Sequence, residues 1–199
     1  FDAHDFLFRE ISERLAERAG DVRDDFDLAL DAGCRSGLFT QAARELIPGK
    51  IATFIQSEFV PGLAERARAT NNIATVIADD EALPFAPNSF DLIASCGVLH
   101  GLNDVPGALI QLRHALKPDG LFLGALLGGE TLHELRHALL TAEAEIEGGA
   151  SPRVAPFAEL SDAAGLLQRA GFSLPVADLD TINVTYENAF KLMHDLRGM

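Results

Sequence analysis

A chain of 199 residues carrying a net charge of −14 is sized for one domain rather than two, and its acidity repels phosphate backbones, which excludes nucleic acid as the expected partner. Hydrophobic residues at 48% fill one sizeable core, and charged residues at 23% exclude the disordered class. Two cysteines, Cys34 and Cys96, are too few for a disulfide framework and suit a reducing compartment.

Apolar residues at Leu7, Ile11, Leu15 and Ala19 predict an amphipathic helix over 6–19, stopped by Gly20. A strand follows at 26–30, then a glycine-rich turn and a helix over 38–46 closed by Pro48-Gly49. Strands at 51–56, 75–78 and 91–95 alternate with a helix over 61–70, which has proline near its start, and a Pro/Asn/Ser-punctuated loop. Asp104 is placed to cap a helix ending near Leu116, and Lys117-Pro118-Asp119-Gly120 reads as a turn before a strand over 121–127. Helices are expected over 130–147, 160–170 and 188–196, with a β-branched strand over 176–186. No apolar run reaches membrane-spanning length, and 1–10 lacks the layout of a secretory signal, so cytoplasm is the expected location.

Strand–helix alternation from Phe26 onward predicts an α/β fold: a doubly wound, mostly parallel sheet with helices on both faces. The chain reads as one domain over 1–199, with an N-terminal helix or lid over 1–25. A ligand-binding core follows over 26–127, then acceptor-side helices and a C-terminal strand over 128–199. Ligands of such sheets bind beyond the carboxyl ends of the strands. After the first strand stands Asp31-Ala32-Gly33-Cys34-Arg35-Ser36-Gly37, where Gly33 permits a tight turn and Gly37 close packing onto a helix start. Glu58, after the second strand, is spaced to accept hydrogen bonds from ribose hydroxyls. Asp79 and Asp80, after the third, are placed for an adenine amino group, with Leu83 and Phe85 to face a ring. No G-x-x-x-x-G-K-[ST] is present, so the pattern is a nucleoside pocket without a phosphate clamp.

The ordered series Asp31-x-Gly33…Gly37, Glu58, Asp79-x-x-x-Leu83-Pro84-Phe85, Ser89-Phe90-Asp91-Leu92-Ile93 and Leu116-Lys117-Pro118-Asp119-Gly120 resembles the class I S-adenosylmethionine (SAM) dependent methyltransferases, type 11 branch, over about 26–127. The stretch Gly128-Gly129-Glu130-Thr131-Leu132-x-Glu134-Leu135-Arg136 is similar to the group holding biotin-pathway carrier-protein methyltransferases and a mitochondrial complex I assembly factor, members of which are linked to arginine hydroxylation. The resemblance implies SAM as cofactor, with Gly33, Arg35 and Gly37 near its methionine end, Glu58 at the ribose, and Asp79 and Asp80 near the adenine. It implies methyl transfer to a small-molecule or protein acceptor. The alternatives are a hydroxylase or assembly factor acting on an arginine of a respiratory complex I subunit, and a non-catalytic SAM-binding protein. Arg35 stands where the family has its middle glycine, and its guanidinium is expected to meet the methionine carboxylate. The family's closing antiparallel hairpin has no obvious last strand here, and Asp2-Ala3-His4 begins abruptly, so part of the N-terminus is expected to be absent.

His133-Glu134-Leu135-Arg136-His137 matches H-E-x-x-H, but no third ligand partners it, so no metal is expected. His100, after the fourth strand, is the candidate general base. Cys34 and Cys96 read as small buried residues. The first helix, with Phe6, Phe8 and Leu15, is a candidate lid, and Arg136 and Arg153 are candidates to wall an acceptor site.

Overall fold

The computed structural model describes residues 4–199, so Asp2 and Ala3 of the abrupt start lie outside the described residues. Five strands, β1 (Phe26–Ala32), β2 (Ile51–Glu58), β3 (Thr75–Ile77), β4 (Phe90–Cys96) and β5 (Leu116–Ala125), form one sheet in the order β3-β2-β1-β4-β5. All four pairings are parallel. The chain steps outward from β1 to β3 and then returns to β4 on the other side of β1. That reversal opens a crevice at the carboxyl ends of β1 and β4. The helices are α1 (Phe6–Asp21), α2 (Leu38–Leu46), α3 (Pro61–Asn71), α4 (Val105–Ala115), α5 (His133–Glu147), α6 (Leu160–Arg169) and α7 (Ala189–Gly198). Right-handed crossovers in opposite directions place α2 and α3 on one face and α4 on the other.

A parallel sheet covered on both faces needs apolar residues pointing both ways. Ala29, Leu30, Leu92, Ile93 and Ala94 are accordingly fully buried, and Phe39, Phe54, Leu15 and Ala16 extend the core from β2, α1 and α2. Gly20 does not stop α1, which runs on to Asp21. A Cβ there would come 2.6 Å from Cγ2 of Ile47, so the glycine serves close approach of α1 to the end of α2. Asp104 caps α4 as expected, accepting from the Gly107 amide at 2.9 Å.

The Lys117–Gly120 turn lies inside β5 rather than before it. Pairing to β4 passes from Phe90↔Leu116 to Leu92↔Leu121 with a register shift, and Asp119 takes a φ of 63°. Lys117 crosses this bulge to Asp91, at 2.9 and 3.0 Å, and Asp91 also accepts from the Leu28 amide at 3.0 Å. The F-D-L-I aspartate thus ties β1 and the β5 bulge to β4.

The described residues pack as two compact units, 4–126 with 181–199, and 127–180. The strand expected over 176–186 does not form. β-Branched alternation expresses a fit to a half-buried pleated surface, yet Val176, Leu179 and Val184 are exposed here. No helix among the described residues is long and apolar enough to cross a membrane.

Candidate functional site: a crevice at the glycine turn

The turn between β1 and α2 carries three residues with positive φ, Gly33 (60°), Arg35 (53°) and Gly37 (80°). It is anchored to the neighbouring strand by the Cys34 amide on the Ser57 carbonyl, at 2.9 Å. Beneath it runs a buried polar chain. One oxygen of Asp31 accepts from the Thr40 amide (3.2 Å) and hydroxyl (2.7 Å), Gln56 donates to that hydroxyl at 3.0 Å, and Asn71 donates to the Gly37 carbonyl at 3.0 Å. Burial raises the Asp31 carboxyl to about 6, the Thr40 bonds recovering only part of the cost. Asp31 is wholly enclosed. Asp31, which the sequence places among the cofactor-binding residues, meets the turn from below through Thr40. Gln56 and Asn71, silent in the sequence, complete that support.

Glu58 ends β2 and bridges to the turn. Its Oε2 accepts from the Arg35 amide at 2.7 Å and its Oε1 from the Val60 amide at 2.9 Å. A carboxylate has about four lone-pair sites, so each oxygen keeps one for a ligand hydroxyl. The same bond explains the backbone of Arg35, drawn into a left-handed conformation that costs a non-glycine residue about 1–2 kcal/mol. Its guanidinium lies 3.8 Å over the Phe8 ring and donates to the Met199 carbonyl. Half-buried, this cation sits on an aromatic face and a carbonyl, which is where the structure places the group expected at a methionine carboxylate.

Asp80 comes to the glycine turn: its Oδ2 would lie 3.0 Å from a Cβ on Gly33, beside Val98. Burial, then the charges of Glu58 and Asp79, raise its carboxyl to about 7. Asp79 faces outward, with Oδ1 accepting from the Glu81 amide at 2.9 Å. His100 occupies a short 3-10 turn, Leu99–Gly101, after β4. Burial, then the charge of Arg35, lowers its pKa, favouring the neutral imidazole. The crevice edge formed by Ala32, Ser95, Val98, Leu99 and Asp80 is tight, with no room for water.

Phe8 of α1 packs against Gly97 and under Arg35, so the candidate lid does reach the strand ends, while Leu15 belongs to the core and Phe6 is exposed. Phe59, directly after Glu58, is a 62% exposed ring that the sequence reading did not single out. Both cysteines are buried free thiols, Cys96 pushed up by burial to about 12 and Cys34 further, so neither is a nucleophile. His133 and His137 are exposed on α5, and no cluster of metal-ligating side chains occurs among the described residues.

Glu58 and Asp80 set two acceptors at the glycine turn, and Asp79 stands exposed beside them. This set fits a ligand that brings hydroxyls, an amino group and a sulfonium charge, and SAM carries all three.

A model of the methyltransferase domain matches residues 30–124. The chain is 46% identical to the mitochondrial arginine-hydroxylase NDUFAF5 of Rattus norvegicus, over 98% of this chain and 56% of that protein. It thus spans little more than half the length of that relative. It is 30% identical to the malonyl-[acyl-carrier protein] O-methyltransferase of Methylovorus sp. (strain MP688), over 100% of this chain and 68% of that protein. In structure it superposes on a chain of the Haloferax volcanii complex between the Trm112 methyltransferase activator and a methyltransferase, with a TM-score of 0.72 at 18% identity, covering 96% of this chain and 80% of that one. Sheet order, crevice and sequence relatives agree: the chain belongs to the class I SAM-dependent methyltransferase family, and its cofactor is SAM.

Proposed function

We propose that this domain transfers a methyl group from SAM to a small-molecule or protein acceptor, with the cofactor seated on Gly33, Arg35, Gly37, Glu58, Asp79 and Asp80. The observation that carries the reading is Glu58, whose two oxygens already order the Arg35 and Val60 amides beside the glycine turn. SAM supplies a methyl on a sulfonium that needs no further activation. The residues therefore bind, orient and exclude water, which is where proximity provides its rate gain. Held by the glycine turn at its methionine end and by Glu58 and Asp80 at its nucleoside, SAM would supply the methyl group together with its own leaving group. His100, after β4, would take the acceptor's proton, which its lowered pKa supports by favouring the neutral imidazole. Two buried free thiols support residence in a reducing compartment such as the cytoplasm.

A second reading has its own support in the 46% identity to an arginine-hydroxylase: the same SAM-binding fold serving oxygen insertion into an arginine of a respiratory complex I subunit. Fold alone does not choose between them. Incubation with SAM and a lysate acceptor pool decides. Methyl transfer yields S-adenosylhomocysteine in step with a one-methyl mass gain on the acceptor. A one-oxygen gain on an arginine with no S-adenosylhomocysteine overturns the methyl-transfer reading.

A further inference from the structure

The unit 127–180 carries an open cleft of about 310 Å³ between the first half of α5 and the segment 150–156, most of whose lining residues are exposed. It is braced from both ends. Arg136, in the first turn of α5, donates through Nη2 to the Gly129 carbonyl at 2.7 Å and the Thr131 carbonyl at 3.0 Å, folding the Gly-Gly-Glu-Thr loop back on its own helix. Two turns further along, Glu143 accepts from the Ser151 amide (2.8 Å) and hydroxyl (2.9 Å) and from Nε of Arg153 (2.7 Å). The cleft walls between these braces are apolar, with Leu140, Pro152, Val154 and Pro156.

The two cations that line it are not equivalent. Glu143 neutralises Arg153, whereas Arg136 meets backbone carbonyls and has no carboxylate partner among the described residues. A guanidinium carries five donors in a planar fork, and Arg136 commits only one nitrogen to the loop. A half-buried cation without a counter-charge, beside an apolar space, favours an anion that accepts two parallel bonds and brings a hydrocarbon body. The volume lies at the small end of the ~300–1,000 Å³ range of ligand pockets. We infer that this cleft binds a small aliphatic carboxylate, with the carboxylate on Arg136 and the chain against Leu140 and Val154. The inference extends the proposed reading without resting on it, because the site is complete within 127–180 and its occupancy is measured without SAM.

The test is calorimetric titration of hexanoate into the full chain, with hexan-1-ol as the neutral probe. Hexanoate should bind at least tenfold more tightly than the alcohol. Arg136→Gln should bring hexanoate down to the level of the alcohol. Because Arg136 also holds the loop, Val154→Phe is the second arm: it puts a ring into the cleft beside Leu140, leaves both carbonyl bonds in place, and should abolish binding of both probes. No hexanoate binding, equal binding of acid and alcohol, or wild-type affinity in Val154→Phe overturns the inference. SAM titrations on the same samples report separately on the glycine-turn site.

Discussion

Replacing Gly37 by alanine is expected to lower stability by roughly 2–4 kcal/mol, the sum of a left-handed backbone cost and overpacking of a filled interior. Gly37 has a φ of 80°, and a Cβ there would come 2.6 Å from Nε2 of Gln56 and closer still to Nδ2 of Asn71. Both side chains are buried, so neither moves aside freely. Their displacement would break the Asn71 bond to the Gly37 carbonyl and the Gln56 bond to Thr40, leaving polar groups unpaired. Gly49 is the control. Its φ is 83° with nothing within 4 Å of a new Cβ, so Gly49→Ala should lose only the backbone part, about 1 kcal/mol. Urea unfolding of the two variants separates conformation from collision. Equal losses would contradict the packing assigned to Gly37.

Glu58→Ala is expected to weaken SAM binding by about 10–100-fold, the scale of a lost bond to a charged group (about 1.5–3 kcal/mol). The Arg35 and Val60 amides lose their acceptor at the same time. Calorimetry with unchanged affinity would remove Glu58 from the site. The same titration should depend on pH in a stated sense. Asp80 has its carboxyl raised from 3.8 to about 7, and Asp31 from 3.8 to about 6. The folded, ligand-free chain therefore holds more protons than the unfolded chain between those values. Stability contributed by these groups is full below about 3.8 and is lost as pH rises to about 7. SAM binding runs the other way, since ionised Asp80 is the better acceptor for a cationic, donor-rich ligand. Affinity should rise from about pH 6 to about pH 8 and level off, and Asp80→Asn should flatten that rise.

Much of this was legible in the sequence because parallel strands buried on both faces write themselves as short apolar runs, such as Leu28–Leu30 and Leu92–Ala94. Punctuation was equally clear where one residue performs a local act, as at Asp104 and Pro61. What the sequence hid is non-local. Gly20 looks like a helix stop, but its purpose is set by Ile47, which only packing brings near. The Lys117–Gly120 turn is a bulge because Asp91 reaches across to Lys117. Val176, Leu179 and Val184 alternate like a strand and yet find no ladder, since β preference expresses a surface to pack on rather than an intrinsic conformation. In the candidate site, the strand-end positions of Glu58, Asp80 and Asp31 were legible, whereas the full burial of Asp31 was not, because a strand-end acid facing inward reads the same as one facing out.

The central claim, that SAM occupies the crevice beyond β1 and β4, is tested most directly by amide NMR of the full chain during a SAM titration. Shifts are expected to concentrate at Gly33–Gly37, Glu58–Val60, Asp79–Glu81 and the Gly97–Leu102 loop, with that loop changing most because Val98 closes on Gly33. Saturating shifts confined to other residues, or none at millimolar SAM in a folded sample, would contradict it.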